Sequence, residues 1–458
     1  MTADTPPVTR RLADFAAGLR REHLPPYVQE LLPLLLVDFM RAAAVGRRQP
    51  WTAKAAAALL PLSGEPRCRI LFTDRRADPV RAAYQNGVAA GSLDWDDSHI
   101  GALVHPGIVV WPAALAAAEL AGASGLALLE AAAAGYETAV RIGMGLQPDH
   151  ALRGYQATAS CGVFGAAVAA GRLLGLDAEG LRHALGIAAS YASGSSQFFL
   201  SGSDVKRLHA GKAAAGGVEI ALLVRAGLTG PADAIEGAQG FARAASDTVD
   251  LGTMVGGLGT RFWTDAIALK MHAGTVRLAA AIEAAEALAR TGIRPGDIAA
   301  IEIGMPRILL GKISSNAPAD MQQAQMSAPF AVAMTFHLVA RREGPLIVGL
   351  DEFATLVDDA GVRALAALTD CVFDAEMDAA MTAEQVPARV SVTLRDGGQH
   401  VAKIMLPKGC RGNPITPAEV HARFRVLTAD VLPSAAAEAW LADAAALHLL
   451  PSASAIML

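Results

Sequence analysis

Leu93-Asp94-Trp95-Asp96-Asp97-Ser98-His99, followed by His105-Pro106-Gly107, gathers three carboxylates, a hydroxyl and two imidazoles within a dozen residues. Only 18% of the chain is charged, and Ala, Gly and Leu runs flank this stretch on both sides, so such a concentration of titratable groups marks a candidate site. On a helix, Asp94 and Ser98 would share a face while Asp96 and Asp97 would point about 100° apart. Gly101 and Pro106-Gly107 instead predict a helix end and a polar loop, which could carry His105 back towards Asp94. A solvated acidic helix end is the competing reading. It suits Asp96 and His99 taken singly better than it suits Asp94 with His105.

Outward from this stretch the pattern is helical. Leu12, Phe15 and Leu19, then Leu31, Leu34, Leu35, Val37 and Met40, recur at helical spacing, predicting two or three amphipathic helices up to about residue 60. Helix continues over 79–92 and 108–146, with Pro112 and the Gly122–Gly125 turn as punctuation. Helices 163–174 and 178–191 follow. The loop Ser193-Gly194-Ser195-Ser196 then precedes an Ala/Gly helix opening at Lys206 and running to Gly227. Near residue 265 the texture changes. Helix 273–290 leads into a strand-like run at 298–303, and 390–394 with 400–406 form a hairpin about Asp396-Gly397-Gly398. Helical patterns at 326–341 and 351–368 lie between them, and helices 417–429 and 434–449 close the chain. The expected fold is mainly α: an all-helical domain, 1–264 plus 406–458, interrupted by an α+β module at 265–405.

Length and composition exclude several classes. A chain of 458 residues exceeds one ordinary core. A net charge of −5 without a Lys/Arg cluster argues against nucleic acid. Cys68, Cys161, Cys371 and Cys410 stand far apart, with no CxxC and no Cys/His metal spacing, which fits a reduced, cytoplasmic protein without structural zinc. The mean hydropathy of +0.34 is high, but charges break every apolar run short of the roughly 18 residues of a membrane span, and no signal-peptide core opens the chain. Aromatic residues make up 5%, so small aliphatics fill the core, and a homo-oligomer with an apolar interface is expected to complete it.

Beyond residues 94–107, Lys206 and His209 lie three apart at a helix start, where cations are disfavoured unless an anionic ligand binds between them. Lys270-Met271-His272 emerges from an apolar run, a setting that suits a buried carboxylate partner or a substrate carboxylate. The glycines at 154–165 match no nucleotide loop. Asp94-Trp-Asp-Asp97 matches the acid of protonating terpene cyclases, but the aromatic walls those enzymes need are missing from the composition.

Taken together, Asn86-Gly87, Leu93–Ser98, His105-Pro106-Gly107, Ala134-Gly135-Tyr136-Glu137 with Arg141, Gly154-Tyr155-Gln156-Ala157-Thr158, Gly162–Ala167, Lys206–Gly211, Gly227–Pro231, Lys270, Gln325-Met326-Ser327 and Pro407-Lys408-Gly409 resemble the MmgE/PrpD family. That family contains 2-methylcitrate dehydratase-, cis-aconitate decarboxylase- and iminodisuccinate epimerase-like enzymes. The resemblance implies a helical domain with an α+β lid, a site in the cleft between them, homodimers, and no metal or organic cofactor. It places the active-site carboxylate at Asp94, the hydroxyl at Ser98, the histidine at His105 and two lysines at Lys206 and Lys270. Gln156 stands where the family usually has histidine, and near the second lysine only His272 remains as an imidazole, at a shifted position.

The expected chemistry is proton transfer beside a carboxylate of a small polycarboxylic acid. His105 serves as acid/base with Asp94 fixing its tautomer, and Lys206 and Lys270 hold carboxylates. Ser98, Gln156, His209 and His272 contact substrate. Arg141 is expected to pair with Glu137 (i, i+4), with a carboxylate-clamp role as the alternative. A lyase (dehydratase or decarboxylase) is the first reading. The alternatives are an epimerase or isomerase, which the loss of one general acid at Gln156 favours, and a catalytically silent metabolite-binding protein.

Overall fold

The computed structural model describes residues 7–198, 203–344 and 346–458. The chain divides into two compact units. One comprises Met1–Ser92, Asp96–Ile267 and Thr416–Leu458, and the other Leu93–Trp95 and Ala268–Ile415. The division falls at 267/268 and 415/416 rather than at 264/265 and 405/406, and residues 1–6 of the expected helical domain lie outside the described residues. Sequence reading missed that Leu93–Trp95 belongs to the second unit, because three residues carry no periodicity.

The first unit is helical. It contains α1 (Val8–Gly18), α2 (Pro26–Gly46), α3 (Pro50–Leu59), α4 (Pro79–Ala90), α5 (Gly107–Ala121), α6 (Gly125–Met144), α7 (Gly162–Leu173), α8 (Ala178–Tyr191) and α9 (Val205–Arg225), with helices Pro417–Thr428 and Ser434–Ala445 returning to it. Every residue of α5 from Gly107 to Ala118 is buried, as expected of a helix apolar on all faces. Pro112 does not interrupt α5, since its ring removes a single backbone N–H; the break comes at Gly122, whose φ of 63° ends the helix in the left-handed region. Around α5 pack α4, α7 and α9. Small residues let α4 and α9 touch backbone to backbone: a Cβ on Gly87 would sit 2.9 Å from the Gly211 Cα, and one on Gly211 would sit 2.5 Å from the Tyr84 carbonyl oxygen. The Ala/Gly composition thus sets the distance between helices. Asp78, Ser124 and Asp177 cap α4, α6 and α8 through side-chain oxygens that accept backbone N–H bonds.

Arg141 is structural, in line with its spacing from Glu137. Both side chains are fully buried, with Arg141 Nε donating to Glu137 Oε2 at 3.0 Å. Glu137 Oε1 also accepts from the Thr264 N–H and hydroxyl, and Arg141 donates to the carbonyls of Gly256 and Arg261. With its donors used in this way, the guanidinium holds the 256–264 segment and does not serve as a clamp.

The second unit is α+β. Its sheet runs β2-β1-β3-β4, from β1 (Ile298–Met305), β2 (Thr369–Phe373), β3 (Ala388–Leu394) and β4 (Gln399–Ile404). β1 pairs in parallel with β2 (Ile301 opposite Thr369) and antiparallel with β3 (Ile303 opposite Val390). The β3–β4 hairpin matches the expected one, with Gly397 at φ 91° in its turn. Helices α10 (Ala279–Ala289) and α11 (Ala328–Val339) pack on each other; α10 lies against β3 and β4, and α11 against β2. β2 is absent from the sequence reading because five residues at the end of a helical pattern gain their strand identity only from non-local pairing with β1. The expected helix 351–368 is two helices, Leu350–Leu356 and Ala360–Ala366, parted where Asp359 caps the second. Helix 273–290 begins only at Ala279, after the 3₁₀ turn Val276–Leu278, because the preceding residues serve the site described next.

Candidate active site

In the first unit the central feature is a carboxylate–imidazole pair. Asp96 Oδ2 lies 2.7 Å from His105 Nδ1, with the Asp96 side chain 3% and the His105 side chain 17% exposed. The His105 backbone N–H donates to Thr158 Oγ1 at 3.1 Å, which fixes where the ring starts. With Nδ1 committed to the carboxylate, Nε2 is the nitrogen left for chemistry. This corrects the expected roles: the carboxylate that orients His105 is Asp96, not Asp94. Two aspartates two positions apart compete for the same partner in a sequence, and only the loop's path selects between them.

Asp97 has a different task. Its Oδ1 accepts the Gly107 N–H at 2.9 Å and its Oδ2 the Tyr136 hydroxyl at 2.6 Å, so it anchors the start of α5 immediately after His105. A Cβ on Gly107 would lie 2.6 Å from both Asp97 Oδ2 and the Tyr136 hydroxyl, so only glycine fits there. Burial raises the Asp97 pKa to about 8, against the lowering effect of the Tyr136 hydrogen bond. A carboxyl raised in this way binds a proton in the folded chain that the unfolded chain has released. Its stabilising effect is complete below the ordinary carboxylate range and is lost as pH rises through about 8. Asp97→Asn, which mimics the neutral acid, is therefore expected to gain in melting temperature relative to the natural protein as pH rises towards that value, with no further gain above it. A gap that stays constant with pH would show that Asp97 is ionised throughout.

Other expected residues of this unit take varied positions. Ser98 is buried, and its hydroxyl makes no hydrogen bond among the described residues. Gln156 caps the short helix Ala157–Ser160, its Oε1 accepting from the Ala159 N–H at 2.9 Å, which leaves its NH2 as the group able to meet a substrate. His209 is buried, its Nδ1 has no hydrogen-bond partner, and burial with Lys212 and Lys206 lowers its pKa to about 4. It therefore offers a neutral ring. Lys206 stands half-buried in the first turn of α9. Thr158, which sequence reading placed in a motif without a role, proves to be the support for His105.

In the second unit Asp94 and Lys270 form the core of the cluster. Asp94 adopts a left-handed backbone, φ 52°, a conformation aspartate tolerates better than most residues. That turn lets both its oxygens face one ammonium: Lys270 Nζ donates to Asp94 Oδ1 at 2.8 Å and to its carbonyl at 2.9 Å. The carbonyl also accepts the Gly274 N–H at 3.0 Å, and Trp95 Nε1 donates to the Lys270 carbonyl. Lys270 is 4% exposed and Asp94 6%. The expectation of a buried carboxylate partner for Lys270 holds, and the partner is Asp94. A buried ion pair is a poor means of gaining stability, so its presence favours a functional reason. Around it, Gln325 Nε2 donates to the Leu93 carbonyl, Thr275 N–H to the Gln325 carbonyl, and His272 Nδ1 accepts from the Val348 N–H at 3.2 Å. Gly274, at φ 104°, passes so close to Gln325 that a Cβ would lie 2.8 Å from its carbonyl oxygen. These bonds hold residues 270–275 in an irregular path and delay the start of α10.

Two family models match the chain. Residues 10–253 match the MmgE/PrpD N-terminal domain and residues 272–449 the MmgE/PrpD C-terminal domain. The chain belongs to the MmgE/PrpD family. It is 29% identical over 447 residues to the cis-aconitate decarboxylase-like protein oryM of Aspergillus oryzae, covering 93% of this chain and 92% of that protein. A cis-aconitate decarboxylase of Aspergillus terreus is 30% identical over 62% of this chain and 60% of its own length. The human cis-aconitate decarboxylase is 35% identical over 37% of this chain and 35% of its own. No described helix is long and apolar enough to cross a membrane.

Proposed function

We propose that this protein is a lyase acting on a small polycarboxylic acid, with decarboxylation of cis-aconitate or a close analogue as its reaction. The observation that supports it best is the pairing of the buried Asp96 with the partly exposed His105, Asp96 standing two residues along the chain from an Asp94 already matched to Lys270. The names of the relatives above support a tricarboxylic acid as the substrate.

In such a reaction the bond between the carbon skeleton and one carboxylate breaks. CO2 leaves, and the bonding electron pair stays on the skeleton as a carbanion conjugated with a remaining carboxylate. An imidazolium at His105 then gives its Nε2 proton to carbon, and the Asp96 carboxylate offsets the ring's charge until that transfer. Water restores the proton, so one proton is consumed for each CO2 released. Lys206 and Lys270 supply positive charge for the carboxylates that stay, and the NH2 of Gln156 and the hydroxyl of Ser98 orient the acid.

The test is a panel of cis-aconitate, citrate, 2-methylcitrate and iminodisuccinate followed by proton NMR. Release of CO2 from cis-aconitate is the expected result. Loss of water from citrate or 2-methylcitrate alone would replace decarboxylase by dehydratase. Exchange of a carbon-bound proton without net loss would replace lyase by epimerase, the reading that the missing acid at position 156 favours.

A further inference from the structure

His150, on the short helix Asp149–Leu152, is a fully buried imidazole that plays no part in the chemistry above. Both of its nitrogens are engaged. Nδ1 lies 2.9 Å from the Ala245 carbonyl oxygen, and Nε2 lies 2.7 Å from Ser160 Oγ. A carbonyl can only accept, so Nδ1 carries the proton and Nε2 of the neutral ring keeps its lone pair. The Ser160 hydroxyl therefore donates to Nε2. Burial lowers the His150 pKa, which favours this neutral form. The ring is also held by its neighbours. Tyr155 stacks on it with 4.6 Å between centroids at 7°, and Phe241 meets it edge-on at 5.9 Å and 75°.

Ser160 ends the single turn Ala157–Ser160, and within that turn Thr158 Oγ1 accepts the His105 N–H. One turn of helix has little stability of its own, so the bonds at its ends decide where it lies. At its start the Gln156 N–H donates to the Gly194 carbonyl. At its end stands the Ser160 hydroxyl on His150. His150, Ser160 and Thr158 are all buried, so water does not compete for these bonds. The support of the His105 imidazole thus passes through Thr158 and Ser160 to a ring fixed at both nitrogens.

We propose that His150, acting through Ser160, is a positioning residue that holds the turn under His105 and so sets where the His105 imidazole stands for proton transfer. The proposal rests on the reading of His105 as proton donor, and its test keeps the two distinguishable.

S160A, H150N and H150Q are compared with the natural protein, with melting curves to confirm folding. Asparagine keeps a donor for the Ala245 carbonyl but falls short of Ser160, whereas glutamine reaches Ser160 with an acceptor oxygen. S160A and H150N should each lower kcat about tenfold. The double variant should lose no more than either alone, because both changes remove the same bond. H150Q should recover most of the rate. NMR of carbon-13-labelled histidine, with the His105 ring signal identified by its loss in H105N, reads the ring without turnover. That signal should move in S160A and H150N and stay near its natural position in H150Q. A merely structural His150 would lower the melting temperature and leave both the His105 signal and kcat unchanged, and that result in folded S160A overturns the proposal. A moved signal with unchanged kcat also overturns it, as do losses that multiply in the double variant. Should the His150 variants not fold, S160A decides by signal and rate together. If the natural protein turns over no acid of the panel, the lyase reading falls, and the His105 signal in S160A decides this proposal by itself.

Discussion

His105→Asn is expected to lower turnover about 10²–10⁴-fold while leaving the melting temperature close to that of the natural protein. The asparagine NH2 can take the place of Nδ1 and still donate to the buried Asp96 carboxylate, so the 2.7 Å contact keeps a counterpart. What disappears is Nε2 and its proton. Because the proposed contacts to the substrate's carboxylates are those of Lys206 and Lys270, KM should change far less than kcat, the signature of an interaction made only in the transition state. Asp96→Asn should also reduce kcat, by making the imidazolium less favourable, whereas a role for Asp96 as a mere surface acid predicts no change. Melting curves and steady-state rates on the same preparations check both.

The second large effect concerns Lys270→Met. This substitution removes the ammonium that the Asp94 carboxylate and carbonyl both face in a buried setting, and is expected to destabilise the protein by about 3–5 kcal/mol. Activity should be lost as well, a result that by itself would not separate folding from chemistry. The double variant Asp94→Asn/Lys270→Met does separate them. With the carboxylate neutralised, much of the stability should return, since replacing both members of a buried pair is far less harmful than removing one. Turnover should not return, because the positive charge is still missing. Recovery of activity together with stability would show that the pair only supports the fold.

How far a sequence can be read depends on whether the signal is local. The helices of the first unit were legible because apolar residues repeat at helical spacing over long runs, and the β3–β4 hairpin because Asp396-Gly397-Gly398 demands a turn. Pro112 was over-read: a proline costs a helix one hydrogen bond, which a helix buried along its whole first half can absorb. β2 was missed because its partner strand lies more than sixty residues earlier. At the site, the residue types were legible and their pairings were not. Asp94 and Asp96 are interchangeable acids on paper. The left-handed turn at Asp94 sends its carboxylate to Lys270, and the loop at 97–105 brings His105 to Asp96. Gln156 shows the same limit from the other side. Its position in a family motif suggested substrate contact, yet one end of its amide caps a helix, a role visible only once Ala157–Ser160 is seen to start there.

The central claim is that one imidazole, steadied by Asp96, delivers a single proton to carbon. Its most direct test is conversion of cis-aconitate in deuterated water, with the product read by NMR. The account predicts one deuteron per product molecule, at one carbon and on one face, and product formed about 10²–10⁴-fold more slowly with His105→Asn. Product formed by the folded His105→Asn protein at the natural rate, or deuterium spread over both faces by the natural protein, would contradict it.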